Sequence, residues 1–326
     1  MRVLVTGGAG YVGSHMVSTL RRAGHPVVVV DDLSCGHRET VPPDVPFVQV
    51  DVADRPRVTA VLREHRVEAI LHFAARIQVC ESVVRPRLYY TGNLAASVAL
   101  LESALDAGVE RFILSSTAAV YGAPIATPIE EDHPAVPVNP YGETKLATER
   151  MLAAYSSAYR LRYAALRYFN ACGADPDTPN LGERHVPETH LVPIVLETAL
   201  GIRPSVTVFG TDYPTPDGTC LRDYVHVLDL CDAHLAALEY LANGGQSAAF
   251  NLGTGHGHSV NEVIEAARRV SGRPIPVTYG ARRPGDPPAL VASCSRAERV
   301  LGWRAKRSSI ERIVGDAWAF HARLHA

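Results

Sequence analysis

The chain has 326 residues, 47% apolar and 20% charged, with a formal net charge of −2; this is an ordinary globular composition, long enough for about two domains. Its arginines are scattered and the densest basic cluster, RAKR at 304–307, is short, which argues against a nucleic-acid partner. No run approaches the ~18 apolar residues of a membrane span, and MRVLVTGGAG reads as a strand entering a glycine turn rather than a signal peptide, so no membrane partner and a cytoplasmic location are expected.

The first 170 residues alternate short apolar runs with helix-length stretches. VLVT (3–6), VVVV (27–30), FVQV (47–50), AILHFA (69–74), RFILSS (111–116) and YAALRYF (163–169) are strand candidates. Continuous apolar runs separated in this way imply an α/β fold, a doubly wound parallel sheet of the Rossmann type covered on both faces. After Phe169 the texture changes to Pro-, Gly- and Asp-rich loops around one helix, LVPIVLETALG at 191–201. The segment 223–241 reads as a short strand and a helix returning to the first domain. The stretch 251–270 reads as a loop and a helix opened by a Ser259/Glu262 capping box. Residues 1–170 with 223–250 are thus expected to form the sheet domain, and 171–222 with 251–326 a smaller, irregular α/β domain for substrate.

TGGAGYVG at 6–13 follows the first strand at once and opens a helix. Gly7, Gly10 and Gly13 let the backbone approach a pyrophosphate, while the helix N-terminus supplies donors and partial positive charge. Asp31, with Asp32 beside it, ends the second strand 18 residues after Gly13. A carboxylate there accepts from both ribose hydroxyls and repels a 2′-phosphate, so the cofactor is expected to be NAD.

The chain has only two lysines, Lys145 and Lys306, and Lys145 stands four residues after Tyr141 in YGETK. Thirteen tyrosines and two lysines give such a pair by chance only about 0.08 times in this length. Positions i and i+4 share a helix face, and Asn139-Pro140 is a plausible helix start. A phenol titrates near 10, so service as a base at neutral pH needs about 4 kcal/mol of preferential stabilisation of phenolate. A neighbouring ammonium and an oxidised nicotinamide both act that way. Lys145 is also expected to hold the nicotinamide ribose. A hydroxyl at a strand end should complete the site, and Thr117 of SST (115–117) is favoured for the hydrogen bond to the reacting oxygen. Six cysteines (35, 80, 172, 220, 231, 294) show no CxxC spacing and are expected to be free thiols. The HGH at 256–258 is a pair that chance supplies among 14 histidines, and no metal is expected.

TGGAGYVG, Asp31, SSTAAVYG, YGETK, RYFNACGA, FGTDYPTPDGTCLRDYVHVLDL and RRPGD together resemble the extended short-chain dehydrogenase/reductase family, and within it the UDP-glucose 4-epimerase (UDP-galactose 4-epimerase) group. The resemblance spans nearly the whole chain; the motif at 209–230 is the most specific part. It implies a homodimer with tightly held NAD, UDP-sugar as substrate, and transient oxidation at C4 with no net redox change. Firm grip on the nucleotide and loose grip on the hexose would let the keto sugar turn.

By similarity NAD should also meet Tyr11, Val12, Asp51 and Val52, then Phe73, Ala74 and Ala75, with Phe169 near the nicotinamide. Asp51 could bind the adenine amino group or, equally, cap the next helix. For the nucleotide the resemblance implies Asn170, His190 and Leu191 near the diphosphate. It further implies Thr207, Val208 and Phe209 around the uracil, Arg222 and Arg283 on phosphates, and Asp286 on the ribose. The chain departs from the pattern at Ile77, Gly92 and His190, and Leu290 stands where side-chain size gates N-acetylated sugars. A 4,6-dehydratase needs Asp-Glu after the threonine, whereas Ala118 and Ala119 stand here. A uronate enzyme needs a guanidinium aimed at a C6 carboxylate, for which there is no dedicated motif; N-acetylated, pentose and uronate UDP-sugars stay open as substrates, whereas a noncatalytic NAD sensor has no need of Thr, Tyr and Lys together.

Overall fold

The computed structural model describes residues 1–283 and 285–326. All six expected strands form: β1 (Val3–Thr6), β2 (Val27–Asp31), β3 (Phe47–Gln49), β4 (Ala69–His72), β5 (Arg111–Thr117) and β6 (Arg162–Tyr168). A further strand, Ala248–Leu252, pairs with β6 and completes a seven-stranded sheet in the order 248–252, β6, β5, β4, β1, β2, β3. Every pairing is parallel. The order runs outward in both directions from the β1/β4 boundary, leaving a crevice at the carboxyl ends of those strands, where doubly wound sheets take their ligands.

The continuous apolar runs follow from burial on both faces. Val3, Val5, Val29 and Leu71 pack with Met16, Leu20, Leu230 and Leu238. Their neighbours Leu4, Val28 and Ile70 pack on the other side with Leu62, Leu100 and Leu152, as the two-residue period of a strand requires. Each such side chain contributes roughly 1.5–3 kcal/mol by leaving water.

A separate apolar cluster joins Val192, Val195 and Leu196 to Val263, Ile264, Ile313 and Val314. These come from the helices Leu191–Ala199, Val260–Ser271 and Ile310–Leu324. The capping box is present: the Glu262 N–H donates to Ser259 Oγ (3.1 Å) and the Ser259 N–H to Glu262 Oε2 (2.7 Å). The strand Tyr224–His226 pairs with Asn170–Cys172 outside the main sheet, whereas the helix Val227–Ala242 packs Leu230, Ala233 and Leu238 onto it. Among the described residues no helix is long and apolar enough to cross a membrane.

Candidate functional site

At the first turn a side chain on Gly7 would meet the Ala74 nitrogen at 2.5 Å, and one on Gly13 the Gly7 oxygen at 2.1 Å. Glycine is therefore required by close backbone approach, and at Gly7 also by a φ of +69°. This contact brings Phe73 and Ala74, which follow β4, against the turn, with Ala75 next in the chain. The helix Tyr11–Arg22 starts at Gly10, which supplies no capping side chain, so the first-turn N–H groups at Tyr11, Val12 and Gly13 remain available to an anion. The Tyr11 side chain itself donates to the Gly173 carbonyl (2.7 Å).

Asp31 is buried at the end of β2, accepting from the Ala9 N–H and the Leu33 N–H, both at 2.9 Å. Burial raises its carboxyl and those two bonds oppose the rise. One N–H per oxygen leaves acceptor capacity for ribose hydroxyls. Asp32 is exposed and closes a local turn with the Ser34 N–H (2.8 Å). Asp51 likewise accepts from the Ala53 N–H (2.9 Å). The helix Arg55–Glu64 is capped by Asp54 instead, so capping is removed as a reason for Asp51, and its side chain stays exposed beside buried Val52. Ile77 is 38% exposed, and the missing side chain at Gly92 faces Arg76 across 3.6 Å. The cradle fits a dinucleotide.

The helix Pro140–Ala158 begins as expected: Asn139 Oδ1 accepts from the Gly142 N–H (2.9 Å), with Pro140 in the first helical position. Tyr141 and Lys145 thus share one face in the first two turns. Thr117 ends β5; its hydroxyl accepts from the Ala119 N–H (3.1 Å) and also faces the Tyr141 hydroxyl. The Tyr141 ring is half-buried but its hydroxyl lies deep.

Here the geometry departs from the expected electrostatics. Lys145 Nζ donates to the Ser115 carbonyl (2.8 Å), and burial lowers its ammonium to about 8, with Glu149 opposing. Burial raises the Tyr141 phenol, and the Thr117 bond offsets only part of the rise. Dehydration outweighs neighbouring charge in the chain by itself, so the phenol is not acidified by Lys145 alone.

Sequence reasoning missed the group behind this pair. Glu149, one more i+4 step along the helix, accepts from Arg167 Nε at 3.0 and 3.1 Å through its two oxygens. It also accepts from the Ser116 hydroxyl. Arg167 lies over the Tyr121 ring, 5.1 Å from its centroid. The 141/145/149 ladder was the available signal.

The nucleotide-side residues form a second group. Phe169 and Leu290 pack against the small cluster of Ala118, Val120 and Leu146, directly after Thr117. The Asn170 N–H donates to the Asp223 carbonyl (3.0 Å). In the strand Val206–Phe209, Thr207 is exposed, and Val208 is fully buried, leaving only its backbone for a ligand. The Arg283 guanidinium lies 4.2 Å from the Phe209 ring centroid, on a face expected to stack with uracil. Arg222 donates to the Leu221 and Pro287 carbonyls (2.7 and 3.0 Å) and forms an ion pair with Asp286. Two residues expected to read different parts of a nucleotide thus bind each other.

His190 is turned toward carboxylates: its Nδ1 lies 2.8 Å from Glu183 and 2.9 Å from Glu188. Burial works against the charged ring, but the two carboxylates prevail and raise it to about 10. Leu191 opens the following helix and packs against the apolar cluster. The spacing Glu-x-His-x-x-Glu-x-His at 183–190 is legible within this loop-rich stretch.

Residues 3–253 match the NAD dependent epimerase/dehydratase family. The chain is 50% identical over 323 residues to a UDP-glucose 4-epimerase of Azospirillum brasilense, covering 99% of this chain and 92% of that one. A UDP-glucose 4-epimerase from Brucella ovis, solved in complex with NAD, superposes with a TM-score of 0.95 at 45% identity over 97% of each chain. A UDP-glucose-4-epimerase from Stenotrophomonas maltophila, solved with NAD and formylated UDP-arabinopyranose, gives 0.96 at 41% identity over 100% of this chain and 99% of that one. Matched over most of its length, and half identical to a relative across nearly all of it, the chain belongs to the NAD-dependent epimerase/dehydratase family.

Proposed function

We propose that the chain interconverts UDP-glucose and UDP-galactose at C4, through a 4-keto intermediate and without net redox change. The observation that carries this reading is the meeting of Thr117, Tyr141 and Lys145 at the carboxyl end of β5, in a chain 50% identical to a UDP-glucose 4-epimerase. Bound NAD would supply a hydride acceptor and donor at C4 and a positive charge beside the phenol.

Tyr141 removes the C4 hydroxyl proton and later returns it. Thr117 donates a hydrogen bond to the same oxygen. Lys145, fixed at the Ser115 carbonyl, keeps a compact positive charge on this helix face and holds the nicotinamide ribose. Ala118 and Ala119 offer neither acid nor base, so water is not eliminated after the oxidation. Gly7, Gly10, Tyr11, Val12 and Gly13 bind the pyrophosphate through backbone. Asp31 and Asp32 hold the adenosine ribose, Asp51 and Val52 the adenine, and Phe73, Ala74, Ala75 and Phe169 line the remainder.

On the nucleotide side Phe209 stacks on uracil, Thr207 and the Val208 backbone hold its edge, and Arg222 and Arg283 read the diphosphate with Asn170, His190 and Leu191. Asp286 takes the ribose, so substrate binding exchanges the Arg222–Asp286 pair for new partners. Leu290, half-buried beside Ala118 and Phe169, borders the hexose.

A homodimer suits the exposed apolar side chains concentrated between 79 and 98, among them Val83, Val84, Tyr90 and Val98. Six free cysteines suit a reducing compartment, and we take the cytoplasm as the place of action. Purified protein given UDP-galactose without added NADH should produce UDP-glucose. Accumulation of a 4-keto-6-deoxy sugar would point to a dehydratase, and NAD binding without turnover to a sensor.

A further inference from the structure

The loop before the helix Leu191–Ala199 draws Glu183, His185, Glu188 and His190 to one point, with a ligating atom from each within 4.8 Å of all the others. His190 Nδ1 lies 2.8 Å from Glu183 Oε1 and 2.9 Å from Glu188 Oε1. His185 Nδ1 lies 3.1 Å from Glu183 Oε1 and 3.8 Å from Glu188 Oε2. In a tetrahedral centre with bonds of about 2.0–2.1 Å, neighbouring donors stand about 3.3 Å apart. All four separations lie within about 0.5 Å of that value, the two to Glu188 running to different oxygens of its carboxylate, and both imidazoles turn the same nitrogen inward.

The Glu183 and Glu188 side chains are only 5% and 3% exposed. Without an ion the two carboxylates are paired with the imidazoles, and an ion would take the place of the protons on the Nδ1 atoms that now face them. Glu188 is already oriented, since its Oε1 accepts from the Thr189 and His190 N–H groups (2.7 and 2.8 Å), the kind of outer support that metal-binding carboxylates receive. His321 is 3% exposed and its Nδ1 has no hydrogen-bond partner, and it stands close enough to feel the charge of Glu183 and Glu188.

We propose that Glu183, His185, Glu188 and His190 form a tetrahedral site for a divalent transition-metal ion of the zinc class. Two imidazoles and two carboxylates balance a divalent charge. Magnesium and calcium, which take six or more oxygen donors, suit this set poorly. Four protein donors leave no open position, so the role is structural, with His190 ligating through Nδ1 and its Nε2 left for the diphosphate. The His185 ring is edge-on to Tyr11, centroids 6.4 Å apart, and Gly182 packs on Phe320. An ion here ties the loop to both the cofactor turn and the C-terminal helix, independently of which sugar nucleotide is turned over.

The test uses the full chain with its cofactor, stripped by a chelator and titrated with Co²⁺ as a visible probe. One Co²⁺ per chain with the intense absorption of a tetrahedral centre, displaced by Zn²⁺, is expected. His185→Gln should weaken binding by about 100-fold or more. Glu188→Gln, which preserves side-chain shape, should do the same if His185→Gln proves poorly folded by circular dichroism. His256→Gln, in the other histidine pair (centroids 4.8 Å apart), should leave the signal intact. Absence of tetrahedral absorption, unchanged affinity in folded His185→Gln and Glu188→Gln, or loss of the signal in His256→Gln would overturn the site.

Discussion

The reaction end and the nucleotide end of this molecule solve opposite problems. Around Tyr141 the supporting groups are mutually satisfied: buried Lys145 on the Ser115 carbonyl, buried Glu149 on Arg167 and Ser116, and half-buried Asn139 on the helix it caps. Around Phe209 the charged groups answer one another, Arg222 with Asp286 and Arg283 over the ring itself. The first arrangement is complete before any ligand arrives; the second must exchange partners to admit one. Chemistry that returns a hydride to the carbon it came from needs fixed catalytic atoms, and a product that must leave needs contacts that can be remade.

The largest test of that contrast is Tyr141→Phe. Turnover should fall about 10²- to 10⁴-fold while UDP affinity, measured by calorimetry, stays unchanged; a matching loss of UDP binding would merge the two regions. Glu149→Leu should come next, destabilising the fold by about 3–5 kcal/mol in denaturant titration, because Arg167 is left buried without its partner.

Lys145→Met probes the strain at the reaction end. With its folded value lowered to about 8, Lys145 binds its proton more weakly folded than unfolded. Its charge therefore costs stability at all pH below about 8, and the cost fades as pH rises toward the ordinary lysine value. Lys145→Met should raise stability at pH 7 by up to about 3 kcal/mol, a gain shrinking above pH 8, while activity is lost. Thermal melts across pH check it, and destabilisation at pH 7 would show that the Ser115 bond outweighs dehydration. Arg222→Gln carries the smallest effect: UDP binding about 10- to 100-fold weaker with little change in melting temperature.

Much of this was legible in residue order. The apolar runs that became β1–β6, the glycines forced by backbone contact, the Asn139-Pro140 helix start and the Ser259/Glu262 box are local signals, and each required no knowledge of tertiary partners. The strand Ala248–Leu252 escaped because AAFNL is short and carries a polar Asn251, whose side chain donates to the distant Ile129 carbonyl and accepts from the Tyr121 hydroxyl. The Arg222–Asp286 pair joins positions 64 apart. The sign of the Tyr141 shift depends on how many atoms surround a hydroxyl, which spacing cannot reveal. Glu183 to His190 was readable as a spacing, but nothing in a Pro- and Gly-rich stretch foretold that the four side chains converge.

The most direct test follows an isotope. UDP-galactose carrying deuterium at C4, incubated with the purified protein and no added cofactor, should yield UDP-glucose that retains the deuterium at C4, and Tyr141→Phe should yield almost none. Deuterium washed out into water, or a Tyr141→Phe variant as fast as the parent, would contradict the account.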